Sequence, residues 1–132
     1  IASTMKRGSK RLIDDPLFAS RMARVEIDLE AMKITNLRML FRAQEQGSPG
    51  PETSILKIKG SVINQELHDL ARRALGPLAA PFPGHINEGN LLFGPPFTAY
   101  NAARYFNNRK TSIFGGSNEI QRNILAKSIL EL

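Results

Sequence analysis

The chain has 132 residues, enough for one domain around a single core, and carries a net charge of +6 at pH 7. It has no cysteine and only two histidines, which excludes disulfides, thiolate ligands and a histidine-rich metal cluster. No apolar run approaches the ~20 residues of a membrane span and no signal-peptide pattern opens the sequence, so a cytoplasmic protein is the default expectation.

Residues 1–13 are basic and lack a clear period; they read as a linker or the tail of a preceding element. Asp14-Asp15-Pro16 is a helix start, an acidic N-cap followed by a proline whose missing N–H costs nothing in the first turn. Leu17, Met22, Val25, Leu29, Met32, Asn36 and Leu40 then recur at three- and four-residue steps, predicting one long helix to about Gln44. Gly47-Ser48-Pro49-Gly50-Pro51 breaks it.

A second helix is predicted from about Glu52 to Leu75, with Ile55, Ile58, Val62, Ile63, Leu67, Leu70 and Ala74 on its buried face and Gly76-Pro77 as its stop. Gly60 inside it costs about 1 kcal/mol relative to alanine, for which close approach of another helix is the usual compensation. His68 fits a polar face or cap better than a ligand. Residues 77–96 form a Pro/Gly-rich loop, long enough to predict a functional or partner-facing role.

A third, shorter helix spans about Phe97 to Asn108, with Ala99, Ala102, Ala103 and Phe106 apolar. The fourth begins at Ser117 and carries Ile120, Ile124, Leu125 and Ile129 inward to the end of the chain. Four helices without a run of alternating β-branched residues predict an all-α, antiparallel up-and-down four-helix bundle over residues 14–132. The basic residues are spread along the chain without interleaved aromatics, which fits solvated helix faces and argues against nucleic acid.

The most informative stretch is Thr111-Ser112-Ile113-Phe114-Gly115-Gly116-Ser117-Asn118-Glu119. Two adjacent glycines permit positive φ and leave the backbone bare. The helix beyond them offers unpaired N–H groups and the positive end of its dipole. A planar or anionic ligand suits such a corner; an ordinary turn before a helix would explain a lone Gly-Gly-Ser.

Ile-Phe-Gly-Gly-Ser-Asn-Glu-Ile-Gln-Arg-Asn-Ile-Leu-Ala-Lys (113–127) resembles the C-terminal signature of the acyl-CoA dehydrogenase family, Ile-Tyr-Glu-Gly-Thr-(Ser/Asn)-(Gln/Glu)-Ile-Gln-Arg. Pro51–Ile58 resembles the helix start before that family's Ser-x-x-Lys, and Ala71–Gly76 the helix end near its Gln-x-x-Gly-Gly. The resemblance covers about residues 12–132. It implies the C-terminal four-helix domain of an FAD enzyme that desaturates acyl-CoA thioesters, a carboxylate taking the α-proton while the flavin accepts the β-hydride. The family's N-terminal helical and middle β-domains have no counterpart here, and a start at Ile1 without methionine favours a fragment, inactive by itself.

By the same resemblance Gly116, Ser117, Asn118 and Glu119 would contact FAD, Phe114, Gly115 and Gly116 the acyl group, and Arg73 and Gly76 the FAD of a neighbouring subunit. Implied partners are the acyl-CoA substrate, other subunits in a homo- or heterotetramer (a dimer at least) and an acceptor such as electron-transfer flavoprotein. Two departures stand out. Pro77 replaces the second glycine of the helix-end motif, and Gly115 occupies the place of the family's glutamate base, so no catalytic residue is assigned. Either the base comes from an earlier helix, as in one branch of the family, or this is a subunit that has lost it. Glu119 suits a helix start or cofactor contact better than a base. A structural bundle that keeps the signature only for packing is the reading from outside catalysis.

Overall fold

Helix boundaries follow local chemistry closely. In the computed structural model, which describes residues 1–80 and 95–131, α1 spans Pro16–Gln46 and α2 Thr53–Leu75. Helix α3 covers Asn101–Asn107 and α4 Asn118–Ile129. The cap of α1 is Asp15: its Oδ1 accepts the Leu17 amide at 3.0 Å and its carbonyl the Ala19 amide at 2.8 Å. Asp14, the alternative cap in the sequence, sits in a short 3-10 turn and pairs with Arg11 at 2.8 Å. Gly47 ends α1 with φ +77° and Gly76 ends α2 with φ +54°, left-handed positions that glycine fills without strain.

Ser117 caps α4, accepting the Ile120 amide at 3.4 Å. Ser117→Ala should therefore cost about 1 kcal/mol of unfolding free energy. Ser117→Asp should retain most of it, and denaturant melts of the two variants check the difference.

The architecture is all-α, with four α-helices among the described residues, as the sequence predicts. Most of the predicted loop 77–96 lies outside the described residues; of the remainder, Gly76–Ala79 and Pro96–Thr98 form 3-10 turns. The chain divides into two compact units, residues 1–23 with 65–109 and residues 24–64 with 110–132. In the first, β1 (Lys6–Arg7) and β2 (Lys10–Arg11) pair antiparallel, Lys6 opposite Arg11 and Arg7 opposite Lys10. Leu12 follows directly and is only 2% exposed. Phe18, Leu70, Ala74, Leu75, Ala79, Ala99 and Ala102 are the other main buried apolar residues of that unit.

The second unit has a smaller and more polar interior. Among its described residues Val25 and Ile63 are the buried apolar side chains, and Ser54, Ser61 and Asn118 are buried as well. Lys59 pairs with Asp28 at 3.0 Å across α1 and α2, and Arg42 with Glu52 at 2.8 Å beside the turn between them. At Gly60 an added Cβ would meet only Met32 Sδ at 3.7 Å, an ordinary contact. The approach of Met32 there is not close enough to require glycine.

Several predicted inward positions are corrected. Leu17 (78% exposed), Asn36 and Leu40 of α1 face solvent; the first turn buries Phe18 instead. Phe106 on α3 is also exposed, and so are Ile120, Ile124 and Ile129 on α4, where Asn118 is the buried residue. Ile27, Ile34 and Phe41, seven residues apart on α1, form a second exposed apolar row. A helix apolar on two faces has a period that cannot say which face is covered.

Candidate functional site

The corner between the 3-10 turn Asn108–Ser112 and α4 belongs to the second unit. The Ile113 and Phe114 amides both donate to the Lys110 carbonyl, at 2.9 and 3.0 Å. Gly115 (φ +68°) and Gly116 (φ +85°) then reverse the chain into α4. Both conformations strain residues that carry a Cβ, which accounts for the glycine pair. Gln121 locks the reversal by donating its side-chain amide to the Gly115 carbonyl at 3.0 Å.

Ile113, Phe114, Gly115 and Gly116 are all exposed. A Cβ at Gly115 would meet nothing within 4 Å, whereas one at Gly116 would lie 2.8 Å from Gln121 Nε2. The Lys110 ammonium sits 5.1 Å from the centroid of the Phe114 ring, a cation–π contact. Beside the corner runs an open groove of about 360 Å³ lined by Leu56, Lys57, Gly60, Ser61, Asn64, Thr111 and Phe114. That volume is at the low end for ligand clefts, roughly 300–1,000 Å³.

Asn118 and Glu119 behave differently. The Asn118 side chain is turned inward and only its backbone is left for the corner. Its Oδ1 accepts from Lys57 Nζ at 2.8 Å and its Nδ2 donates to Ser61 Oγ at 3.1 Å. Glu119 is exposed. Its own backbone N–H and the Ser117 hydroxyl hold its carboxyl below the usual range, with a smaller contribution from Arg122. A general base works best with its affinity for protons raised toward neutrality. Glu119 is shifted the other way, as an acid at a helix N-terminus should be.

Arg73 and Gly76 lie in the first unit. Arg73 is ion-paired to Asp69, which also takes Arg72 at 2.9 Å. Burial raises the Asp69 carboxyl, but the bonds from Arg73 and Arg72 together bring it below its ordinary value. Arg73 also lines a cleft of about 260 Å³ with Arg7, Asp15, Leu17, Phe18 and Arg21. In the same unit, Tyr105 has two guanidinium groups over its ring, Arg72 at 5.0 Å and Arg109 at 4.4 Å from the ring centre. Sequence reasoning missed these cation–π contacts; the Asp69-x-x-Arg72-Arg73 spacing signals the ion pairs but nothing marks the tyrosine. Among the described residues no group of His, Asp and Glu could hold a metal ion, and no helix is long and apolar enough to cross a membrane.

Residues 1–130 match the family model described as Acyl-CoA dehydrogenase, C-terminal domain. The chain is similar to Acyl-CoA dehydrogenase IpdE1 of Mycobacterium tuberculosis, 34% identical over 121 residues, which are 90% of this chain and 28% of that protein. It is also similar to a chain in the crystal structure of the ChsE4-ChsE5 complex from Mycobacterium tuberculosis, with a TM-score of 0.72 and 28% identity. That match covers 99% of this chain and 32% of the other. The chain thus spans about a third or less of the length of either relative. With the family model matched over nearly its whole length, the chain belongs to the acyl-CoA dehydrogenase C-terminal domain family.

Proposed function

We propose that the chain works as the C-terminal helical domain of an FAD-dependent acyl-CoA dehydrogenase that introduces an α,β double bond into an acyl-CoA thioester. The observation that carries this reading is the open diglycine corner leading into a capped helix. Two exposed glycines without side chains leave a face that a planar ring system can approach, and nothing in the second unit fills the space off Gly115. The residues fit the cofactor to that extent. Gly116, Ser117 and Glu119, with the backbone of Asn118, would lie along FAD; Phe114, Gly115 and Gly116 would edge the acyl group. Arg73 and Gly76 would meet the FAD of a neighbouring subunit.

The flavin, when bound, supplies the electron sink for the β-hydride. The role of this chain is to shape and close one wall, and the α-proton must go to a carboxylate other than residue 115, because glycine has no side chain to take it. Exposed apolar side chains on α1 and α4 support work within a larger assembly, since surfaces of that kind usually meet a partner. Electron-transfer flavoprotein is the acceptor class the reading implies.

A second reading has a specific observation behind it. Gly115 stands where the family's glutamate does, and one relative was crystallised as a complex of two different chains. On that reading this is the non-catalytic subunit of a heteromeric dehydrogenase. Purification of the intact protein tests both. A yellow protein that reduces a dye with some acyl-CoA supports the first. Yellow but inactive until a second subunit is added supports the other. A colourless protein that neither binds added FAD nor acquires it with a partner overturns both and leaves a structural bundle.

A further inference from the structure

The Lys57 of the Pro51–Ile58 helix start has no part in the flavin reading so far, yet the structure gives it two specific partners. Its ammonium donates to the Ser112 carbonyl at 3.2 Å and to Asn118 Oδ1 at 2.8 Å. Ser112 is the last residue before the corner segment 113–117, and Asn118 is the first residue of α4 after it. One cation on α2 thus ties both ends of the segment that carries the two left-handed glycines. Asn118 is held from its other side as well: its Nδ2 donates to Ser61 Oγ at 3.1 Å, and that hydroxyl donates to the Ile58 carbonyl at 2.8 Å. Lys57 and Ser61 are one helical turn apart on α2, so a single face of that helix anchors the corner.

We propose that Lys57 is a positioning residue, whose ammonium clamps the two ends of the diglycine corner and fixes the geometry of the wall it presents to a ligand. The identity of that ligand rests on the flavin reading above; the clamp does not. The need for a clamp is physical. Two consecutive glycines have more conformations to lose than any other pair, and the space beside Gly115 is open, so packing does not confine it. Lysine suits the task because its ammonium offers several donors from a point, and can serve a carbonyl and an amide oxygen in different directions. Its position near the start of α4 is otherwise unfavourable, since the helix dipole disfavours a cation there. An arrangement that keeps a charged group in that place needs the bonds it makes.

Amide hydrogen exchange on the intact protein, with flavin titration alongside, decides the matter. Lys57→Met removes the donors while keeping the length of the side chain. It should speed exchange about tenfold at Ile113, Phe114 and Ile120, whose amides are hydrogen-bonded on either side of the glycine pair, with much smaller changes at Ile63 and Leu125. It should also weaken FAD binding by about the same factor. Lys59→Met is the control: it deletes a charge two residues away that pairs with Asp28 and touches no corner residue, and corner exchange should not change. If Lys57→Met does not fold, Lys57→Gln replaces it, with an intermediate acceleration expected. Unchanged exchange at the corner, or an equal rise throughout the second unit, overturns the proposal. A protein that takes up no flavin counts against the functional reading alone, because the exchange pattern still reports the clamp.

Discussion

Leu12→Ala is expected to destabilise the protein by about 2–5 kcal/mol, the range for truncating a fully buried leucine. Leu12 is 2% exposed and is the largest fully buried side chain among the described residues. It sits between the small β1–β2 ladder and the cap of α1, with its amide bonded to the Met5 carbonyl at 2.9 Å. The backbone there is tied on both sides, since the Asp15 amide returns to the Leu12 carbonyl at 3.1 Å. Such a site cannot collapse easily around a lost isopropyl group, which places the cost toward the upper part of the range. Leu17→Ala, five residues on, removes the same atoms from a side chain 78% exposed. Its effect should stay within about 0.5 kcal/mol. Urea denaturation of both variants, with slopes compared as well as midpoints, makes the test. Equal and small effects would mean that the basic front segment is not anchored to the helices behind it.

That contrast shows what could be read from the sequence and what could not. Punctuation was legible: Pro16, Gly47, Gly76 and Ser117 stand at helix ends because ring closure, left-handed φ and a capping hydroxyl act within one turn of chain. Burial was less so. Leu12 belongs to no periodic stripe, and a two-residue ladder has no pattern to detect. On α1 the apolar residues occupy two faces, so Leu17 and Phe18 are equally plausible by hydropathy, and only tertiary packing chooses Phe18. On α4 the choice went against hydropathy altogether. Asn118 is buried because Lys57 and Ser61 satisfy its side chain, while Ile120 stays exposed. A polar pair separated by 61 residues in the chain leaves no local trace. The corner itself was legible because both glycines are required by backbone conformation, a constraint that survives in the sequence whatever the packing.

The two glycines should nevertheless respond differently to the same substitution. Both have left-handed φ, so alanine at either position carries strain of about 1–2 kcal/mol. At Gly116 the new Cβ would lie 2.8 Å from Gln121 Nε2, the group that donates to the Gly115 carbonyl. The glutamine end is flexible and can move aside, but its hydrogen bond is then lost, adding about 0.5–1.5 kcal/mol. Gly116→Ala is therefore the more destabilising change, by thermal or urea melting. At Gly115 the Cβ would enter open space, and no protein group is displaced. If that space is where the flavin and acyl group meet the chain, a methyl group there should hinder the ligand directly. Gly115→Ala should then weaken FAD or acyl-CoA binding about tenfold to a hundredfold, within the roughly 1–3 kcal/mol that forcing an extra methyl group into a filled contact costs. Stability would rank the variants in one order and ligand affinity in the other. Strain alone cannot produce such a crossing, because it would lower both properties together. A Gly115→Ala protein that is mildly destabilised but binds FAD and acyl-CoA as tightly as the parent would put the ligand on another face of the domain.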